Sequence, residues 1–193
     1  GAIGKITDVN DETVALVDLE DKANRDSRTG LFNHNAARRL INERLSETKG
    51  KRYALAFFDV DDFKQANDRY GHLFGDEVLE AVAARIKENI RSTDIGARMG
   101  GDEFIIFMEY TKNLHAQIDR IFRRLTVDYK DYHLGVSMGV ACTENFEGDY
   151  DELFRMADMA QYTVKRGNKC NYCFYDESMK SVLPPADKRE TIR

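Results

Sequence analysis

Two short apolar runs, Ile95 to Met99 and Phe104 to Tyr110, flank Gly100-Gly101-Asp102-Glu103, the composition of a hairpin turn. That turn makes the two runs an antiparallel pair and sets two acids at its tip. Upstream, Leu40, Ile41 and Leu45 mark a helix, and Tyr53 to Phe58 is an unbroken apolar run that ends at Asp59, as a buried strand does. A polar turn follows, then an amphipathic helix from about Gly75 to Ile90. Downstream, Leu114, Ile118, Ile121 and Leu125 recur at helical spacing within Lys112 to Leu125. His133 to Cys142 alternates as a strand, Asp151 to Lys165 is a helix, and Cys170 to Tyr175 is a closing strand. The order is βαββαβ with added helices. It predicts an α+β fold of palm or nucleotide-cyclase type: a mainly antiparallel central sheet with helices on one face and added helices surrounding it.

The 193 residues, 42% hydrophobic and 33% charged, suit one globular domain with a short appendage. A net charge of -5 argues against a broad grip on nucleic acid or on an anionic membrane, because both need a cationic face. An anionic ligand is then met locally, by a metal or a few lysines. The sequence shows no apolar run of bilayer length and no charged start leading into an apolar stretch, so a cytoplasmic chain is expected, within a full-length protein that could itself be membrane-tethered. Cys170 and Cys173 lack the second pair that a structural zinc site needs, and with Cys142 they read as ordinary reduced thiols.

The segment from Asp59 to Asp76 carries Asp59, Asp61, Asp62, Lys64, Asn67, Gly71, His72 and Gly75 directly after an apolar strand. Carboxylates at a strand end suit a hard cation such as Mg²⁺ or Mn²⁺, which takes oxygen ligands and shares them with phosphates. Amides at the next helix start, around Phe63 and Lys64, can hold phosphate oxygens. A plainer account is an acidic surface turn in which Asp61 or Asp62 caps a helix. The hairpin acids weigh against it, because strands of one sheet can bring Asp59 and Asp102 to a common metal.

These clusters resemble the GGDEF family of diguanylate cyclase catalytic domains. Gly100 to Phe104 spells its signature, and Asp59 to Asp76 is similar to its metal and guanine segment. Asp26 to Asn33 resembles the family's opening, Val136 to Val140 its central strand, and Ala157 to Lys165 its last helix, so the likeness runs from about Asp26 to Asp176. It implies metal binding by Asp59, the Val60 carbonyl and Asp102, with Glu103 a candidate ligand of a second ion. It implies that Asn67 and Asp76 read the guanine edge, whose N1-H and N2-H donors suit a carboxylate. Gly100 and Gly101 would let GTP lie against the hairpin, and Lys64, Lys165 and Lys169 would meet its phosphates. His72 is explained by packing as readily as by substrate contact. Asp102 or Glu103 would be the proton acceptor. Arg91 and Asp94 stand at the spacing of the family's inhibitory product site, although an i,i+3 ion pair at a helix end is the simpler account.

The activity so implied is condensation of two GTP into cyclic di-GMP with release of two pyrophosphates, in a homodimer, with cyclic di-GMP as product and inhibitor. Two departures stand out: Arg28, where leucine is usual, is expected to alter packing of the opening segment, and the run Asn168, Lys169, Cys170 leaves the phosphate lysine open. The rival is a module that senses GTP or cyclic di-GMP without turnover, which the full set of acids disfavours. A polymerase would need a basic groove for its template. Outside the family region, residues 1–11 resemble the last strand of an upstream PAS-like sensor domain, with the strand itself at Ile3 to Val9. Residues 12–25 read as a linker helix, either solvated against its own domain or a dimerising stalk. Residues 177–193, with Pro184 and Pro185, are expected to form a mobile tail.

Overall fold

The structure is a computed structural model and describes residues 21–47, 50–144, 146 and 148–181. The expected strand at Ile3 to Val9, the first part of the linker helix and both prolines lie outside the described residues; residues 21–24 are helical. The helices are α1 (His34–Glu47), α2 (Phe63–Tyr70), α3 (His72–Asn89), α4 (Leu114–Leu125) and α5 (Tyr150–Arg166). The strands are β1 (Phe32–Asn33), β2 (Arg52–Val60), β3 (Ile95–Gly100), β4 (Glu103–Tyr110), β5 (Val136–Cys142) and β6 (Asn171–Phe174). A 3₁₀ turn at Glu177–Ser181, inside the segment expected to be a tail, lies against α5. Among the described residues no helix is long and apolar enough to cross a membrane.

One six-stranded sheet runs in the order β1-β3-β4-β2-β5-β6. The pairs β3·β4, β4·β2 and β2·β5 are antiparallel, whereas β1·β3 and β5·β6 are parallel. The sheet is therefore mixed, which corrects the expectation of a mainly antiparallel one. Its cause is connectivity: β5 returns to β6 through α5, and a helical crossover brings the second strand back parallel to the first.

Helices cover both faces, not one. Ala54, Ala56, Phe58 and Val60 of β2 point into a core completed by Val78, Val82 and Ile86 of α3 and Ile118, Ile121 and Leu125 of α4. Tyr53, Leu55 and Phe57 point the other way, onto Ala37 and Ile41 of α1 and Leu153 and Ala157 of α5. The unbroken apolar run of β2 is the sequence counterpart of a strand covered on both sides.

Two elements differ from the sequence reading. β1, two residues paired with Ala97 and Arg98, is too short to show any periodicity. The polar turn after Asp59 is largely the helix α2, whose buried Ala66 seats it and whose end at Gly71, with φ 88°, separates it from α3.

At Gly139 the backbone of α5 sits directly on β5: a Cβ there would stand 2.1 Å from the Ala157 carbonyl oxygen and 2.2 Å from the Gln161 nitrogen. Neither backbone atom can rotate away, so Gly139→Ala must push helix from sheet. The expected loss is about 3 kcal/mol, at the upper end of overpacking costs, read as a lower denaturation midpoint in urea at unchanged m.

Candidate active site

β2 ends by carrying a carboxylate into the middle of the sheet, with Asp59 opposite Glu103 of β4 on one side and Ser137 of β5 on the other. Asp59 is 7% exposed, and its Oδ1 is buried with no hydrogen-bond partner among the described residues. Its Oδ2 is paired with the amine of Lys165, near the end of α5. Burial pushes the Asp59 carboxyl up; Lys165 opposes the shift, while Asp102 and Asp61 add to it. Burial also raises Asp102 and Glu103, and repulsion from Asp102 and Asp59 adds to the rise at Glu103. Three acids, each raised first by burial, occupy one end of the central strands.

The hairpin is held against this end by its own backbone. The Val60 N–H donates to the Asp102 carbonyl at 3.3 Å, and the Arg98 guanidinium donates to the Gly101 carbonyl at 3.0 and 2.7 Å. Arg98 also reaches both oxygens of Asp26 at 3.3 Å, tying the opening segment to the hairpin. Burial pushes Asp26 up, but hydrogen bonds from Thr29 and the charge of Arg98 outweigh it and leave the carboxyl below its ordinary value. Gly100 and Gly101 have φ of 148° and 51°, and a Cβ built on either meets no atom within 4 Å. Backbone conformation requires glycine there, and the space beside the tip is open.

Asp61 lies outside α2, and Asp62, at its N-cap position, does not cap it with its side chain. Asp61 accepts from the Ser137 hydroxyl at 2.7 Å and the Cys170 N–H at 2.8 Å, so it fixes the loop before β6. Asp62 takes the left-handed conformation before α2, makes no side-chain cap, and accepts from Lys169 at 2.8 Å. The first amides of α2, at Phe63 and Lys64, are thus left without a side-chain cap. Lys64 and His72 are exposed and have no partner among the described residues, whereas Lys165 and Lys169 are counter-ions of Asp59 and Asp62.

Asn67 packs against Gly75, where a Cβ would stand 2.0 Å from its Oδ1, and Asp76 follows immediately. Asp76 is in an ion pair with Arg28, which reaches from the opening segment to α3. At the far end of α3, Asp94 accepts from the backbone N–H of Arg91 at 2.8 Å. The ion pair expected as the simpler account is absent among the described contacts. Arg91 and Asp94 line one cavity with Arg120, which the sequence gave no reason to single out and which donates to the Asn89 side chain and carbonyl at 3.0 Å each. Arg98 was likewise missed, although a charge inside an apolar strand run was a readable signal.

A divalent cation fits this donor set, because the orphaned Asp59 Oδ1 and the neighbouring raised carboxyls of Asp102 and Glu103 are acceptors short of positive charge. Among the described residues no three such side chains converge into a closed cage.

Sheet, two-sided helix cover and an acid-rimmed strand end define a palm-type α+β domain. The profile described as "Diguanylate cyclase, GGDEF domain" matches residues 23–171, and the chain belongs to that family. Cyclic di-GMP phosphodiesterase PdeR of Escherichia coli (strain K12) is 34% identical over 179 residues, 90% of this chain and 27% of PdeR. Diguanylate cyclase DgcP of Pseudomonas aeruginosa is 34% identical over 167 residues, 80% of this chain and 24% of DgcP. The chain therefore spans about a quarter of the length of these relatives. The coiled coil and GGDEF domain of DgcB from Caulobacter crescentus, solved with c-di-GMP, superposes with a TM-score of 0.80 at 24% identity, covering 88% of this chain and 94% of that one.

Lys165 is the one cation bonded to Asp59 among the described residues. Lys165→Met leaves a buried carboxylate without its counter-charge and should cost about 1–2 kcal/mol at neutral pH, discounted because the lysine is partly exposed. The sign follows from linkage: without Lys165 the Asp59 carboxyl rises further above its unfolded value, so the folded form loses stability as pH rises through that raised value. The deficit against wild type should shrink as pH falls through the carboxylate range, which urea denaturation at neutral and acidic pH measures.

Proposed function

We propose that the chain is the catalytic domain of a diguanylate cyclase that condenses two GTP into cyclic di-GMP. The observation that carries this reading is the buried, unpartnered Asp59 oxygen beside two further acids at the end of β2 and the hairpin tip. In a family whose members include the diguanylate cyclase DgcP, that constellation retains every acid that phosphate chemistry asks for.

Each domain binds one GTP. Asn67 and Asp76 accept from the guanine N1-H and N2-H groups, while Lys64 and the first amides of α2 receive phosphate oxygens. The open side of Gly100 and Gly101 admits the nucleotide along the hairpin. Asp59, Asp102 and the Val60 carbonyl would hold a divalent cation, with Glu103 toward a second, and such a cation would supply neutralisation of phosphate charge and a lowered pKa for the attacking hydroxyl.

Two domains face each other, so that the 3′-oxygen of one GTP forms a bond to the α-phosphorus of the other and the α–β phosphoanhydride bond breaks. Pyrophosphate leaves, and the hydroxyl proton passes to Asp102. Glu103, next in the chain and paired across the strands with Asp59, is the other candidate acceptor. The same event with roles exchanged closes the ring.

Incubating the chain with GTP and Mg²⁺ and separating products by chromatography should give cyclic di-GMP. Asp102→Ala should lower turnover by at least ~10²-fold with the circular dichroism spectrum unchanged. GTP binding without product in the wild-type chain would instead establish a sensing module.

The cavity between the end of α3 and α4 supports a second, inhibitory role. Arg91, without a side-chain ion pair to Asp94 among the described residues, offers a guanidinium fork to guanine O6 and N7, while Arg120, whose two terminal nitrogens donate to Asn89, lines the same cavity. Cyclic di-GMP should lower the maximal rate without competing with GTP. Arg91→Ala should weaken its binding in calorimetry by about 5-fold to 150-fold, the ~1–3 kcal/mol of one bidentate contact to a base. Equal affinity in both proteins would refute that role.

A further inference from the structure

Arg28 lies in the turn before β1 and Asp76 near the start of α3, yet one guanidinium nitrogen of Arg28 pairs with one carboxylate oxygen of Asp76. Their side chains remain 39% and 32% exposed, so a ligand can reach both. Neither has a further partner among the described residues. The pair adjoins Gly75, where an added Cβ would stand 2.0 Å from Asn67 Oδ1 and 3.2 Å from the Phe63 ring. One patch thus combines an aromatic ring, an amide, a carboxylate and a guanidinium.

A carboxylate and a guanidinium joined through one bond present a free acceptor beside free donors. Guanine carries the complementary order on its edge, N1-H beside O6. Adenine reverses it, with an N1 acceptor beside an N6 donor, and would set acceptor against acceptor and donor against donor. Arginine is also the side chain whose fork fits guanine O6 and N7.

We propose that Arg28 is a further specificity-determining residue, donating to guanine O6 while Asp76 accepts from N1-H. This rests on the proposed assignment of Asn67 and Asp76 to base recognition. The ion pair holds the two side chains in place before the base arrives, so little ordering is left to binding.

Calorimetry with the α,β-methylene analogues of GTP, ITP and ATP, whose α–β bridge cannot break, tests it on the whole chain. Guanine and hypoxanthine both carry O6 and N1-H, and adenine carries neither. Arg28→Leu should weaken the GTP and ITP analogues by about tenfold and leave the ATP analogue within about twofold, and Arg28→Lys should retain part of the binding. Equal losses for all three would show a merely structural residue, and unchanged or tighter GTP binding would show that Arg28 blocks the carboxylate; either overturns the proposal. Asp76→Ala in the same assay separates the two layers. If it abolishes the preference for guanine while Arg28→Leu does not, Arg28 alone is misassigned; if it leaves the preference intact, the base-recognition assignment falls together with the proposal.

Discussion

Everything at the active end depends on a carboxylate being driven into the sheet. β2 is covered on both faces from Tyr53 to Val60, and Asp59 is the one acid in that buried stretch. A charge in such a place is tolerated only if paired, and Lys165 pairs one of its two oxygens. Asp102 and Glu103 crowd the same end, both raised first by burial, and the charge of Asp102 raises Glu103 further. The site is therefore electrostatically unsatisfied by its own side chains, a state that folding elsewhere must offset and that a cationic ligand relieves.

The offset comes from strand register. Phe58 stacks on Phe104 with ring centroids 5.7 Å apart, one residue before Asp59 meets Glu103. A slip of one residue between β2 and β4 would send the side chains of the slipped strand to the opposite face and break this stack, so apolar packing prevents the acids from drifting apart. α5 is fixed by a different contact. Its backbone rests on Gly139, at Ala157 and Gln161, and Lys165 lies one helical turn beyond Gln161. The counter-ion of Asp59 is thus positioned by a glycine on a neighbouring strand.

Most of this architecture was legible in the sequence, because its signals are long or chemically rare. The apolar run before Asp59, the Gly100 to Glu103 tip and the helical spacing of Leu114 to Leu125 each demand one local structure. What stayed hidden depends on contacts between distant segments. β1 is defined by its pairing with β3, and the mixed sheet by where β6 lies beside β5, which no local pattern states. The two-sided cover of β2 was present in its unbroken apolar run but was read as one-sided. Among site residues, the acids were visible from their positions at strand ends. The partners of Arg28, Arg98 and Arg120 were not, since a long flexible cation declares its partner only when the fold brings one within reach.

The lysines show how the acids set the chemistry of a chain whose net charge is -5. Lys165 and Lys169 were expected to face phosphates, and both instead neutralise aspartates, Asp59 and Asp62. Charge balance links the two roles. An amine committed to a buried carboxylate can serve an anionic ligand only when that carboxylate is neutralised by other means, because withdrawing it otherwise strands a buried charge. Under the proposed function, cation binding at Asp59 and phosphate binding by Lys165 would then be parts of one exchange of partners. An acidic protein can hold a polyanion in this way without a basic surface, by releasing cations it already stores at the site.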